Sequence, residues 1–138
     1  TVFNNFCLVY IIYDKNYSKP IYVFADEERI LQVLTNLLVN SLKYGIDGGR
    51  TEVSLARNDD KVLIRVSDDG IGVSKEHLPR LFERFYRVDA TRSRKKGGSG
   101  LGLSIVKHII EAHSENISVE SEYGKGTTFS FTLEYFKS

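Results

Sequence analysis

The sequence predicts an α+β two-layer sandwich: a mixed, largely antiparallel sheet with about three helices on one face. Three observations point to it. Extended runs rich in Val, Ile and aromatic residues alternate with helical patterns in the order strands, helix, hairpin, helices, hairpin, which segregates helices to one side of a sheet. A long stretch carries apolar residues at helical spacing. Two pairs of strand-like runs are each separated by a short polar or glycine-bearing turn.

Taken in order, Phe6 to Tyr13 and Ile21 to Phe24 look like two strands joined by a polar turn. Asp26 is placed to cap a helix in which Ile30, Leu34, Leu37, Leu38 and Leu42 repeat until Gly45 stops the pattern. Thr51 to Ala56 and Lys61 to Ser67 read as strands around Asn58-Asp59-Asp60. Ser74 can cap a turn, and Pro79 can take a first helical position, opening a short helix through Leu81, Phe82 and Phe85. Residues 87–99, with Arg87, Arg92, Arg94, Lys95 and Lys96, hold little to bury and read as a flexible basic loop. Leu101 to His113 resume helical periodicity, and Ile117 to Glu122 and Thr127 to Tyr135 close the chain as a hairpin.

The 138 residues fit a single domain, 1–138, and contain no internal repeat. With 19 Lys and Arg against 18 Asp and Glu, no global field favours nucleic acid or an anionic membrane. Cys7 is the only cysteine, which leaves no internal disulfide framework and suits a reducing cytoplasm. The apolar run from Phe6 to Tyr13 is far short of the roughly 18 residues a membrane span requires. The abrupt apolar beginning suggests a domain of a longer protein.

Three segments carry candidate chemistry. Asn36, Asn40 and Lys43 extend a polar stripe begun by Arg29 and Gln32 on one helix face. Asn40 can offer a hard cation a carbonyl oxygen, and Lys43 can meet phosphate; a solvated stripe has the same spacing. Asp68-Asp69-Gly70-Ile71-Gly72 stands where a strand ends. A carboxylate there can accept from an adenine amino group, although an ordinary Asp-Gly turn fits the same residues. Gly98-Ser99-Gly100-Leu101-Gly102 opens a helix whose amides can hold phosphate oxygens. Neither a Walker nor a Rossmann pattern accompanies it. Phe82, Phe85 and Tyr86 suit core packing, and their flanking arginines also suit a lid anchor or a partner-docking surface.

Together with Leu81 to Arg87 and Gly124-Lys125-Gly126-Thr127, these segments resemble, in order, the N, G1, F, G2 and G3 boxes of the catalytic, ATP-binding domain of bacterial sensor histidine kinases. Arg87-Val88-Asp89 and Ile105 to His113 are most similar to the phosphate-regulon type. The resemblance implies a Bergerat-type site for ATP and Mg2+. In it Asn40 is the metal ligand, supported by Asn36; Lys43 meets phosphate, Tyr44 lines the nucleotide and Asp68 reads adenine. Gly70 and Gly72 shape the adenine pocket, with Thr127 in its surround. Arg87 approaches the terminal phosphate, and Gly98, Gly100, Leu101 and Gly102 line the triphosphate beneath a lid at 87–99. Asn40, Lys43 and Arg87 are the implied catalytic set.

It also implies transfer of the terminal phosphoryl group to a histidine on a separate dimerisation domain, and a downstream response regulator in two-component signalling. The isolated domain is then expected to be monomeric. The whole protein is expected to be a homodimer anchored in the bacterial inner membrane, with this part in the cytoplasm. Two departures stand out. His113-Ser114-Glu115-Asn116 replaces the frequent His-Gly-Gly, so a turn there must form without glycine. The phosphoacceptor motif is absent: none of His77, His108 and His113 has its context, and all three suit surface or partly satisfied helical positions. Two other classes compete: a conformational ATPase of the gyrase, heat-shock and mismatch-repair group, and an interaction module without nucleotide. Members of the first place a glutamate base where this chain has Asn36, and an amide is a poor base. Against the second, the ATP-contacting residue types are all present.

Overall fold

The computed structural model describes residues 8–13, 21–88 and 101–137. Six strands form one sheet: β1 (Leu8–Tyr13), β2 (Tyr22–Phe24), β3 (Arg50–Asn58), β4 (Lys61–Asp68), β5 (Ile117–Glu122) and β6 (Gly126–Phe136). Beside them lie α1 (Glu27–Lys43), a 3-10 helix (Lys75–Arg80) and α2 (Gly102–Ala112). The sheet runs β1-β3-β4-β6-β2, with β5 also paired to β6. Long β6 therefore holds β4 along one edge and shares its other edge between β5 and β2. Only β1 with β3 is parallel among the described pairings, so the mixed, mostly antiparallel α+β architecture is as the sequence predicts.

β1 and β2 are not partners; they occupy opposite margins of the sheet, β1 on β3 and β2 on β6.

Alternation places the core. Val62, Ile64 and Val66 of β4 and Phe129, Phe131 and Leu133 of β6 are buried on one face, as the two-residue period of a strand requires. Against them α1 sets Val33 and Leu37, and α2 sets Val106, Ile109 and Ile110. The Asp26 carboxylate accepts from Arg29 N at 3.2 Å as the α1 N-cap, and Glu27 and Glu28 follow in the first turn, where they complement the helix dipole.

The segment after β4 also departs from expectation. Pro79 lies inside the 3-10 helix, near its end, and Leu81 to Phe85 are turns rather than a helix. Ser74 sits at the cap position, but its carbonyl, not its hydroxyl, takes the His77 N–H. Proline fixes φ and donates no hydrogen bond, so a chain that enters it in a tight 3-10 turn has no N–H there to extend an α-helix. The aromatic trio divides. Phe82 packs edge-on to Phe129 at 6.0 Å, whereas Phe85 is 62% exposed with φ +66°.

The turn without glycine is a Schellman closure. Ser114 N–H bonds Glu111 O at 2.9 Å, Glu115 N–H bonds Ile110 O at 3.1 Å, and Ser114 takes φ +60°. Glu115 then reaches the sheet: Lys61 pairs with it and Thr132 Oγ1 donates to it at 2.7 Å. Burial alone would raise the Glu115 carboxyl; the bonds from Lys61 and Thr132, with the Lys61 charge, outweigh it and hold the group below its ordinary range. His113 bridges α2 to the α1 cap, its Nδ1 on Ile109 O at 2.8 Å and its Nε2 accepting from Asp26 N at 3.0 Å. A non-glycine residue in the left-handed region costs about 1–2 kcal/mol, partly offset by the greater unfolded freedom of glycine. Ser114→Gly is therefore expected to stabilise the chain by about 0.5–1 kcal/mol in denaturant unfolding; a loss of stability would contradict this account of the turn.

Candidate nucleotide-binding cleft

A cleft of about 520 Å³ opens between the C-terminal half of α1, the end of β4, the 3-10 segment and the start of α2. Spaced four and three apart, Asn36, Asn40 and Lys43 share the helix face that forms one wall. The stripe divides along its length. Arg29 Nη1 donates to Gln32 Oε1 at 3.3 Å near the N-terminus, outside the cleft. Asn36 lines the cleft but donates through Nδ2 to Gly102 O at 3.3 Å, tying α1 to the first residue of α2.

At the opposite end lies Asp68, the last residue of β4, paired in register with Thr127. Successive strand residues face opposite sides, and the two aspartates obey this. Asp69 turns away to accept from Arg50 N at 2.8 Å, while Asp68 faces the cleft. Burial pushes the Asp68 carboxyl above its ordinary 3.8, opposed by the Gly70 N–H at 2.9 Å, by Ser41 and by the Thr127 backbone.

Ser41, unremarked in the sequence, is fully buried behind this wall. Its Oγ lies beside Asp68 without a hydrogen bond of good geometry, alone in this among the buried side-chain polar atoms of the described residues. Composition gave no signal for it; only its place one residue after Asn40 does.

The glycines act through backbone packing. A Cβ on Gly70 would stand 2.3 Å from Tyr44 O, and one on Gly72, where φ is +73°, 2.1 Å from Glu122 O. Gly72 lines the cleft; Gly70 does not, because it is pressed beneath the Tyr44 carbonyl. Ile71 N–H bonds Tyr44 O at 3.1 Å and Gly124 N–H bonds Ile71 O at 2.6 Å, so this loop is stitched on both sides. Ser121 Oγ adds a hub, accepting from Val73 N at 2.7 Å and contacting Gly126 O and Thr127 Oγ1 at 2.8 Å each.

Of the remaining expected residues, Tyr44, Arg87, Gly102 and Thr127 line the cleft. Leu101 does not. It lies in a neighbouring groove with Arg29, Arg84 and Ile105, because consecutive residues at a helix start project about 100° apart. Gly98 and Gly100, residues 89–99 of the lid expected at 87–99, and Cys7 lie outside the described residues. His77, expected only at a surface or partly satisfied helical position, and Tyr86, expected in core packing, a lid anchor or a docking surface, both line the cleft and contact each other through His77 Nδ1 and the Tyr86 hydroxyl.

Among the described residues no three His, Cys, Asp or Glu converge as a metal cage. The donor set present is one neutral amide, Asn40, beside an ammonium. It fits a magnesium ion that takes its other ligands from phosphate and water.

Comparisons with known proteins identify the family. A family model described as histidine kinase-, DNA gyrase B-, and HSP90-like ATPase matches residues 25–136. The chain is 45% identical over 120 residues to the sensor histidine kinase WalK of Bacillus subtilis (strain 168), covering 86% of this chain and 20% of WalK. Among solved structures it resembles the mycobacterial sensor histidine kinase MprB, with TM-score 0.81 and 27% identity over 96% of this chain and 86% of that one. It also resembles full-length ShkA in complex with AMPPNP, with TM-score 0.79 and 27% identity over 96% of this chain and 26% of that one. The chain thus belongs to the histidine kinase-, DNA gyrase B- and HSP90-like ATPase family, and within it to the catalytic domains of sensor histidine kinases.

Proposed function

We propose that this domain binds ATP with magnesium in the cleft and delivers the terminal phosphoryl group to a histidine on a separate dimerisation domain. One observation carries the reading: Asn40 and Lys43 of α1, Asp68 of β4 and Arg87 after the 3-10 helix, three separate segments, line a single cleft. In this reading Asp68 accepts from the adenine amino group at the closed end, with Thr127 beside it. Tyr44 and Ile71 line the nucleotide, and Gly70 shapes that end from behind. Lys43 and Arg87 meet the phosphates, and the amides at the start of α2, at Gly102, add the positive end of a helix, while Gly98 and Gly100 line the triphosphate as the resemblance implies. Asn40 would hold magnesium, whose charge, when bound, offsets that of the phosphate oxygens. Phosphoryl transfer asks for positioning and charge stabilisation more than covalent help, and these residues supply both.

Full-length ShkA is in complex with AMPPNP, which supports an adenine nucleotide as the ligand proposed here. A conformational ATPase is disfavoured by Asn36, whose amide is engaged with Gly102 O and cannot take a proton from water. The chain spans 20% of the length of WalK. For the whole protein we propose a homodimer anchored in the bacterial membrane, with this domain cytoplasmic and a response regulator downstream. No described helix is long and apolar enough to cross a membrane.

Incubated with radiolabelled ATP, the chain is expected to stay unlabelled alone and to label an added histidine-bearing domain. Strong labelling of the chain itself, or fast steady-state phosphate release, would contradict the proposal.

A further inference from the structure

The residues just before Arg87 lack regular structure. Leu81 to Phe85 are turns, Phe85 holds φ +66° and is exposed, and the backbone bonds there are local: Glu83 N to Arg80 O at 3.0 Å and Tyr86 N to Glu83 O at 3.3 Å. Leu81 and Phe82 hold the start of this segment on the core; beyond them, Tyr86 is tied back to the 3-10 helix. Its hydroxyl bonds His77 Nδ1, and the Arg80 guanidinium lies 4.6 Å from its ring centroid, itself held to Glu83 at 3.0 Å. His77 belongs to the 3-10 helix, whose Ser74 carbonyl takes its N–H at 3.0 Å, and Glu76 stands 3.5 Å from Nε2. The bond to Tyr86 thus anchors the segment one residue before Arg87, inside the cleft.

We propose that His77, acting through Tyr86, is a positioning residue that sets Arg87 at the distance needed to meet the terminal phosphate. The inference rests on the nucleotide reading above. A hydrogen bond to a charged group weakens steeply with distance and angle, so freeing the Tyr86 anchor loosens the Arg87 contact while Asp68, Asn40 and Lys43 keep theirs. The loss then falls on nucleotides with a third phosphate.

The test is the ratio of AMPPNP to ADP affinity, both with magnesium, measured by calorimetry on the chain. Wild type is expected to favour AMPPNP, and Arg87→Ala to abolish that preference. His77→Ala and Tyr86→Phe are each expected to reduce the preference at least about fivefold. His77→Asn, whose amide occupies nearly the place of Nδ1, should restore most of it. Tyr86→Phe removes one oxygen only and serves if His77→Ala fails to fold. If wild type binds neither nucleotide, the underlying reading fails and the proposal with it. If Arg87→Ala loses the preference while Tyr86→Phe keeps it, or if both nucleotides weaken equally in the His77 and Tyr86 variants, the positioning role alone is overturned.

Discussion

Asp68→Asn is expected to weaken ATP-analogue binding by about 2 kcal/mol or more, roughly thirtyfold in Kd, while the nucleotide-free chain becomes no less stable. The two halves have separate causes. An asparagine oxygen can still accept from Gly70 N, the 2.9 Å bond that Asp68 makes. It cannot offer adenine an ionised acceptor, and the amide can turn a donor toward the adenine amino group. Stability moves the other way because burial raises the Asp68 carboxyl above 3.8.

The sign follows from proton linkage. The folded chain holds the Asp68 proton more tightly than the unfolded chain, so stability falls as pH rises from the ordinary aspartate value through the raised one, and stays lower at neutrality. Asparagine carries no such cost. The variant should therefore equal or exceed wild type in unfolding free energy at neutral pH, and the difference should close near and below pH 3.8. Nucleotide affinity should show the complementary dependence. It is full where the carboxylate is ionised and declines as pH falls through a midpoint above 3.8, a decline the variant lacks. Unfolding curves and calorimetry across pH check both; an unchanged affinity in Asp68→Asn would remove this residue from the base site.

Gly72→Ala should damage the fold instead. At φ +73° an L side chain is strained, and its Cβ would lie 2.1 Å from Glu122 O and 3.1 Å from Tyr123 Cα. These are backbone atoms of the β5–β6 turn, which cannot swing aside as a flexible side chain can. The turn is also tied to the same loop by Gly124 N on Ile71 O. Left-handed strain of about 1–2 kcal/mol adds to an overpacking cost of about 1–3 kcal/mol, giving a loss of roughly 2–5 kcal/mol. Guanidinium unfolding measures it. A loss below about 1 kcal/mol would mean that the loop relaxes freely.

The fold was legible where pattern and packing coincide. The stripe of α1 and the alternation of β4 and β6 each place their apolar residues on the face the sheet and helices share, so periodicity alone located them. Pairing was less legible: β1 and β2 are both short extended runs, and nothing in either states that they join different neighbours, β3 and β6. The Pro79 segment misled because the same proline suits a helix start and a 3-10 interior. In the cleft, Asn40, Lys43, Asp68 and Arg87 were found by residue type in an ordered set of motifs. Ser41, Ser121 and His77 were not, since a lone serine or histidine shows its partner only after distant segments meet. Leu101 and Gly70 illustrate the converse: a motif names neighbours of a site along with its walls, and only side-chain direction separates them.

The central claim is that one cleft holds an adenine nucleotide, with Asp68 at the base and the α1 amides, Lys43 and Arg87 at the phosphates. Calorimetric titration of the chain with AMPPNP and with its guanine counterpart, in magnesium, tests it most directly. The account predicts one site for AMPPNP and at least about thirtyfold weaker binding of the guanine analogue, because the carboxylate would lose its amino partner. Equal affinity for the two bases, or no binding of either, would contradict it.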